Sequence, residues 1–164
     1  MGKFITNGIQ NRLQHKDLRT WGCYILTLIA WVQTAFGKIV IENEAQLVSK
    51  FNEWQAKNWI NKLPDAKGII YPWARNPVAI FNDLAVMAGK GDGYFANVAH
   101  TRDDRDYPKT KRFPIFYEAD ANNVFDHFTL GELDENGKLR TVFDSWERSV
   151  ASQGRKPKNY RRFW

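Results

Sequence analysis

The chain holds a single cysteine, Cys23, in the stretch "RTWGCYILTLIAW" (19–31), directly after a glycine and at the head of an apolar run. A thiol in the first turn of a helix sits among free backbone N–H groups and at the positive end of the dipole, which favours the thiolate. A nucleophile of this kind also needs a base, and the base needs a group to orient it. His127, in "VFDHFTLGEL", and Asp144, in "KLRTVFDSW", have the types for those two roles. Packing is the competing reading of Cys23, because free cysteine is among the most buried residue types.

Whether His127 and Asp144 meet depends on the turn between them, "DENG" (134–137), a hairpin signal. With a four-residue loop, Leu133 faces Lys138 and His127 falls directly opposite Asp144. With Asn136-Gly137 as a two-residue turn, the two become diagonal neighbours on one face. Either even length sets an imidazole beside a carboxylate. An odd loop without a bulge separates them. Asp126, adjacent to His127, points to the other face of an extended strand. An Asp–His pair fixes the imidazole tautomer and supports the imidazolium formed when a thiol proton is taken.

The elements that must position these groups follow from the pattern of apolar residues. Residues 1–20 read as an irregular N-terminal arm. Residues 23–36 are apolar nearly all round, which predicts a central helix rather than a surface one, with Gly37 as its stop. In "NEAQLVSKFNEWQAKNW", Leu47, Val48, Phe51 and Trp54 are spaced like one face of a surface helix. "NPVAIFNDLAVMAG" predicts a third helix, with Asn76 capping, Pro77 in the first turn and Gly89 at the end. After "GKGDG" the character changes to strands: "YFANVAH", "RFPIFYEA", "VFDHFTLGEL", "KLRTVFDSW" and "NYRRFW". Helices first and antiparallel strands later is the α+β pattern, in a single domain spanning 1–164.

Composition narrows the function classes. With 164 residues the chain is long enough to bury a real core, and aromatics at 15% make that core aromatic-rich. One cysteine allows no intramolecular disulfide, and His15, His100 and His127 have no metal-ligand spacing. The reading implies no cofactor. Residues 138–164 carry eight Lys/Arg against Asp144 and Glu147, a surplus of six that equals the net charge of +6. Within the basic C-terminal strand or tail (155–164), Arg155, Lys156, Lys158, Arg161 and Arg162 are interleaved with aromatics. That mixture suits nucleic acid or another anionic polymer, or else a strand edge kept soluble by charge.

The uncharged segment 21–36 starts too late for a signal peptide and is shorter than a membrane span. No membrane span is expected. "MGKFIT" matches the short myristoylation pattern at Gly2. "GKGDG" lacks phosphate-loop spacing, "EADANN" lacks the glycine and final glutamate of a calcium loop, and "RDDRD" reads as a solvated loop.

The order of Cys at a helix start, His on a strand and Asp on the next strand resembles the papain-like cysteine hydrolases. "WGCYILTLIAW" with "HFTLGELDENGKLRTVFDSW" looks most like the compact branch related to the bacteriocin-processing, double-glycine peptidases of bacteria and phages. The likeness spans the chain from about Gln10 onward, and these two motifs carry it. It implies a papain-like fold, with N-terminal helices packed on a C-terminal antiparallel sheet. Cys23 would be nucleophile, His127 base and Asp144 orienting residue. It also implies an oxyanion-binding glutamine before the nucleophile, for which Gln14 is the first match and Gln10 the second. Tyr24 departs from the Gly-Pro or small residue common in such proteins. The expected activity is a thiol-dependent peptidase or amidase acting on a peptide, protein or peptidoglycan-like amide. The expected location is the cytoplasm or a phage particle. A catalytically idle papain-like binding or assembly module is the rival reading.

Overall fold

The computed structural model describes residues 3–71, 73–101, 112–118, 126–146 and 156–163, apart from the side chain of residue 162. The expected N-terminal arm contains two short helices, α1 (Ile9–Arg12) and α2 (Lys16–Trp21). Ile9, Leu13 and Leu18 bury their side chains in the core, which is what orders this polar segment. The myristoylation pattern at Gly2, the "RDDRD" loop and residues 119–123 of "EADANN" lie outside the described residues.

Helix α3 (Cys23–Phe36) runs through the centre of the molecule. Ile25, Leu26, Leu28, Ile29 and Val32 are fully buried, as expected of a helix that is apolar on every side. It ends at Gly37, whose φ of 64° is the left-handed conformation that glycine adopts without strain. α5 (Pro77–Met87) packs against it, and α4 (Glu44–Ala56) precedes α5 in the chain. Asn43 caps α4 by accepting from Gln46 N–H at 2.9 Å, while Gln46 Oε1 accepts from Glu42 N–H at 2.8 Å. Asn76 caps α5 through Ala79 N–H at 3.0 Å. Trp54 Nε1 donates to Asp83 Oδ2 at 2.9 Å and so ties α4 to α5.

The sheet contains β1 (Val98–Thr101), β2 (Arg112–Tyr117), β3 (His127–Leu133), β4 (Leu139–Asp144) and β5 (Asn159–Phe163). All pairings are antiparallel, in the order β1-β5-β2-β3-β4. The C-terminal segment is therefore an interior strand. β1 is shorter than the expected 94–100 run, because Phe95 turns into the core beside Asn82, whose amide binds its backbone N–H and C=O. Trp31, Phe81, Phe95 and Phe163 meet at ring distances of 4.6–6.0 Å, many edge to face, and join α3, α5 and β5. At the other end of the sheet the buried Glu132 carboxylate binds Arg112 on β2, at 2.9 Å, and Arg140 on β4. A buried acid with a cation on both sides pins three neighbouring strands in register.

Candidate active site

Cys23 is the first residue of α3, His127 the first of β3 and Asp144 the last of β4. The break before α3 is made by Gly22. A Cβ there would stand 2.4 Å from the Leu18 carbonyl oxygen, so α2 turns into α3 only around glycine. The close approach at Gly22 is thus made by the preceding helical turn.

His127 Nε2 lies 2.6 Å from Asp144 Oδ1, and the imidazole is fully buried. The loop before β4 is odd in length. Asp134 N–H bonds to the Lys138 carbonyl, leaving Glu135, Asn136 and Gly137 at the tip, with Gly137 at φ 73°. Leu133 pairs with Leu139 and Gly131 with Thr141, but Leu130 then pairs with Phe143 and Thr129 with Asp144. Val142 is the extra residue of a β-bulge. Neither even-loop geometry holds: an odd loop plus one bulged residue makes His127 and Asp144 diagonal neighbours.

Asp144 is held from several sides. Its Oδ1 also accepts Trp146 N–H at 2.9 Å, its backbone N–H donates to Asn7 Oδ1 at 3.0 Å, and its carbonyl accepts from Gly8 N–H at 3.0 Å. The Trp146 indole lies nearly parallel to the His127 ring, 4.4 Å between centroids. It shields the Asp–His pair from water, which strengthens the interaction.

With Nε2 committed to Asp144, the remaining ring nitrogen, Nδ1, is the one left for the thiol. Nδ1 is buried and makes no hydrogen bond of ordinary geometry, yet the Cys23 sulfur is near enough to stabilise the imidazolium. Burial is the largest influence on His127 and would lower its pKa. The Asp144 hydrogen bond, followed by the interactions with Cys23 and the Asp144 charge, outweighs burial and lifts the pKa to about 9.

The glutamines separate clearly. Gln14 is exposed, in the turn between α1 and α2, with its backbone N–H on Glu44 Oε1 at 2.6 Å. The turn carries its side chain to solvent, which does not suit the oxyanion role expected of it. Gln10 is fully buried instead. Its Nε2 donates to the Arg19 carbonyl at 3.0 Å, its Oε1 accepts from Ser145 Oγ at 2.6 Å, and its N–H bonds to the Ser145 carbonyl at 2.9 Å. Gln10 therefore links the turn four residues before Cys23 to the residue after Asp144.

The residues that follow Cys23 and His127 also meet. Tyr24 and Phe128 stack at 4.2 Å, and Thr27 Oγ1 donates to the Phe128 carbonyl at 3.4 Å, fastening the start of α3 to β3. Arg161 lies over this pair, 5.0 Å from the Phe128 ring and 6.0 Å from Tyr24, with Phe116 at 5.6 Å. It is buried and donates to Asn159 Oδ1; burial lowers its pKa despite the nearby Tyr24 hydroxyl. That placement removes Arg161 from any basic surface. Lys158 pairs with Glu118 at 2.7 Å and Lys156 is exposed; Arg155 and the side chain of Arg162 lie outside the described residues. Within the expected polymer-binding tail, residues 159–163 form an interior strand whose central arginine, Arg161, faces aromatics.

Trp146, Asn7 and Ser145 were not expected at the site, and Gln10 was expected there only as the second match for an oxyanion glutamine, not as a bridge to Ser145. Trp146 lies inside the "FDSW" motif, two residues beyond Asp144, so a signal existed; the contacts of Asn7 and Gln10 span more than 130 residues and leave no local pattern. Among the described residues no three His, Cys, Asp or Glu side chains group as metal ligands. None of the described helices is long and apolar enough to cross a membrane. Compared with protein families, with curated proteins and with solved structures, the chain finds no match.

Proposed function

We propose that this protein is a thiol-dependent hydrolase of amide or peptide bonds, built on a papain-like plan, with Cys23, His127 and Asp144 as its reacting and orienting groups. The observation that carries the reading is the buried His127, hydrogen-bonded on one side to Asp144 and stabilised on the other by Cys23. Packing alone gives no reason to bury an imidazole between a carboxylate and the molecule's only thiol.

In this reading the Cys23 thiolate attacks the substrate carbonyl carbon. The oxyanion that forms is met by the open N–H groups of the first turn of α3. The C–N bond then breaks, and His127 gives its Nδ1 proton to the departing amine, leaving a thioester on Cys23. Water attacks the thioester, passes a proton to His127 and releases the acid with the thiolate restored. Asp144 keeps Nε2 protonated throughout, so the proton in transit is always the one on Nδ1.

The test is the pH dependence of Cys23 alkylation by iodoacetamide in the native protein and in His127→Ala. The expected result is reaction well below the ordinary thiol pKa of about 8.5, lost in the variant. An ordinary thiol indifferent to His127 returns Cys23 to core packing and favours an idle binding module.

A further inference from the structure

Residues 61–71 and 73–75 belong to a finger that projects beside the start of α3, and it is braced at both ends. At its base Ile60 and Ala74 form an antiparallel bridge, and Asn61 N–H bonds to the Trp73 carbonyl at 3.0 Å. The Asn61 amide also holds both sides of the finger, donating to the Leu63 and Tyr71 carbonyls at 3.1 and 3.0 Å. At the tip Asp65 Oδ1 accepts from Lys67 and Ile69 N–H at 2.8 and 2.9 Å, and Gly68 turns the chain at φ 73°. Tyr71 packs edge-on against Trp21, two residues before Cys23, at 4.7 Å.

Rigid bracing of this kind serves to present something. Every residue from Lys62 to Ile69 is exposed. Leu63 is 62% exposed, Trp73 54% and Ile69 38%, so three of the five exposed large hydrophobic side chains among the described residues belong to this one finger. The finger carries three basic side chains, Lys62, Lys67 and Arg75, against the single acid Asp65, whose carboxylate is occupied by backbone N–H groups.

We propose that this finger docks on an anionic phospholipid surface. Leu63 and Ile69 enter the boundary of the acyl chains, Trp73 rests at headgroup depth, and Lys62, Lys67 and Arg75 meet the phosphates. Convexity selects this occupant over a peptide, because eight successive exposed residues make a projection and a peptide is gripped in a groove or along a strand edge. The charge selects an anionic bilayer over a neutral one. The proposal stands apart from the hydrolase reading, and if both hold, docking sets the Cys23 site close to the membrane.

The experiment is sedimentation of the full chain with vesicles of one part phosphatidylglycerol to three parts phosphatidylcholine, and with phosphatidylcholine alone. The expected result is binding to the anionic vesicles only, weakened by salt. Leu63→Ser with Ile69→Ser should lower affinity by about tenfold or more, and Lys62→Gln with Lys67→Gln by about tenfold with a shallower salt dependence. Both variants should keep the unfolding midpoint and the alkylation rate of Cys23, because these side chains are exposed and outside the site. Failure to bind the anionic vesicles overturns the proposal. So does binding that ignores the Leu63/Ile69 change, which would mark mere attraction of a basic protein. Capture of polyglutamate instead of vesicles, lost in the same variants, would assign the finger to an acidic protein partner and equally overturn it.

Discussion

His127 and Asp144 meet because β4 carries one residue more than β3 between the Gly131–Thr141 and Leu130–Phe143 pairs. Continued without the bulge, the register set by the Glu135–Gly137 turn would place Asp144 opposite Phe128 and turn its side chain away from His127. Val142 absorbs the extra residue, and Asp144 returns to the face of His127, opposite Thr129. The segments around Asn7 and Gln10 then lock the end of β4 in that position. A bulge beside a buried charged pair re-aims a carboxylate, and here the carboxylate it re-aims is the one on the imidazole.

Asp144→Ala should leave Cys23 in place and remove the group that holds His127. The alkylation rate near neutral pH should fall, its profile should move toward that of an ordinary thiol, and any amide hydrolysis should drop by about 10²–10⁴-fold. The check is the alkylation profile set beside that of His127→Ala. Asp144→Ala matching wild type would mean that the carboxylate does not act on the thiol through His127.

The pKa of His127, lifted to about 9, has a consequence for stability as well. Below about pH 6.5 the imidazole is protonated in the folded and unfolded chain alike, and the stabilisation is complete. Between about 6.5 and 9 the folded chain keeps a proton that the unfolded chain has lost, so stability falls as pH rises; beyond 9 the contribution is gone. The loss should be of order 3 kcal/mol across that window. Urea unfolding at several pH values reads it directly, and His127→Gln should flatten the slope. A wild-type stability level through this window would mean that His127 is neutral in the folded protein.

Much of this architecture was legible because it is local. The apolar run 23–36 and the caps at Asn76 and Gly37 each follow from a few adjacent residues. Cys23 at a helix start and His127 on a strand were legible for the same reason. The bulge was not, since Val142 differs in nothing from an ordinary strand residue and only the pairing with β3 reveals it. Gln14 was preferred to Gln10 on sequence distance from Cys23, whereas the fold decides by the short helix α1, which turns Gln10 inward and leaves Gln14 in a turn. Arg161 read as part of a basic tail because charge counts carry no topology; insertion of β5 between β1 and β2 buried it.

Gly22→Ala tests the junction in front of Cys23. The new methyl would meet the Leu18 carbonyl oxygen at 2.4 Å, and a backbone atom inside a helical turn has little room to yield. The expected cost is about 1–3 kcal/mol, with a slower alkylation of Cys23 as the start of α3 shifts. Gly91→Ala, where an added methyl meets nothing, is the matched control and should stay within about 0.5 kcal/mol of wild type. Thermal unfolding of the two variants decides it; equal midpoints would show that the α2–α3 turn accommodates a side chain.

Gln10→Ala tests whether the two halves of the site are coupled. The change removes the bond to the Arg19 carbonyl and leaves Ser145 Oγ without its acceptor, so a loss of about 1–3 kcal/mol is expected from unpaired buried groups. A residue that only packs would stop there. Because Gln10 joins the turn before Cys23 to the residue after Asp144, its loss should also move the acid limb of the alkylation profile to higher pH, in the direction of Asp144→Ala. Ser145→Ala should produce a smaller move of the same sign, since it breaks only one side of the bridge. Gln14→Ala, at an exposed position, should change neither stability nor profile. If Gln10→Ala is destabilised with an unmoved profile, Gln10 belongs to the scaffold alone.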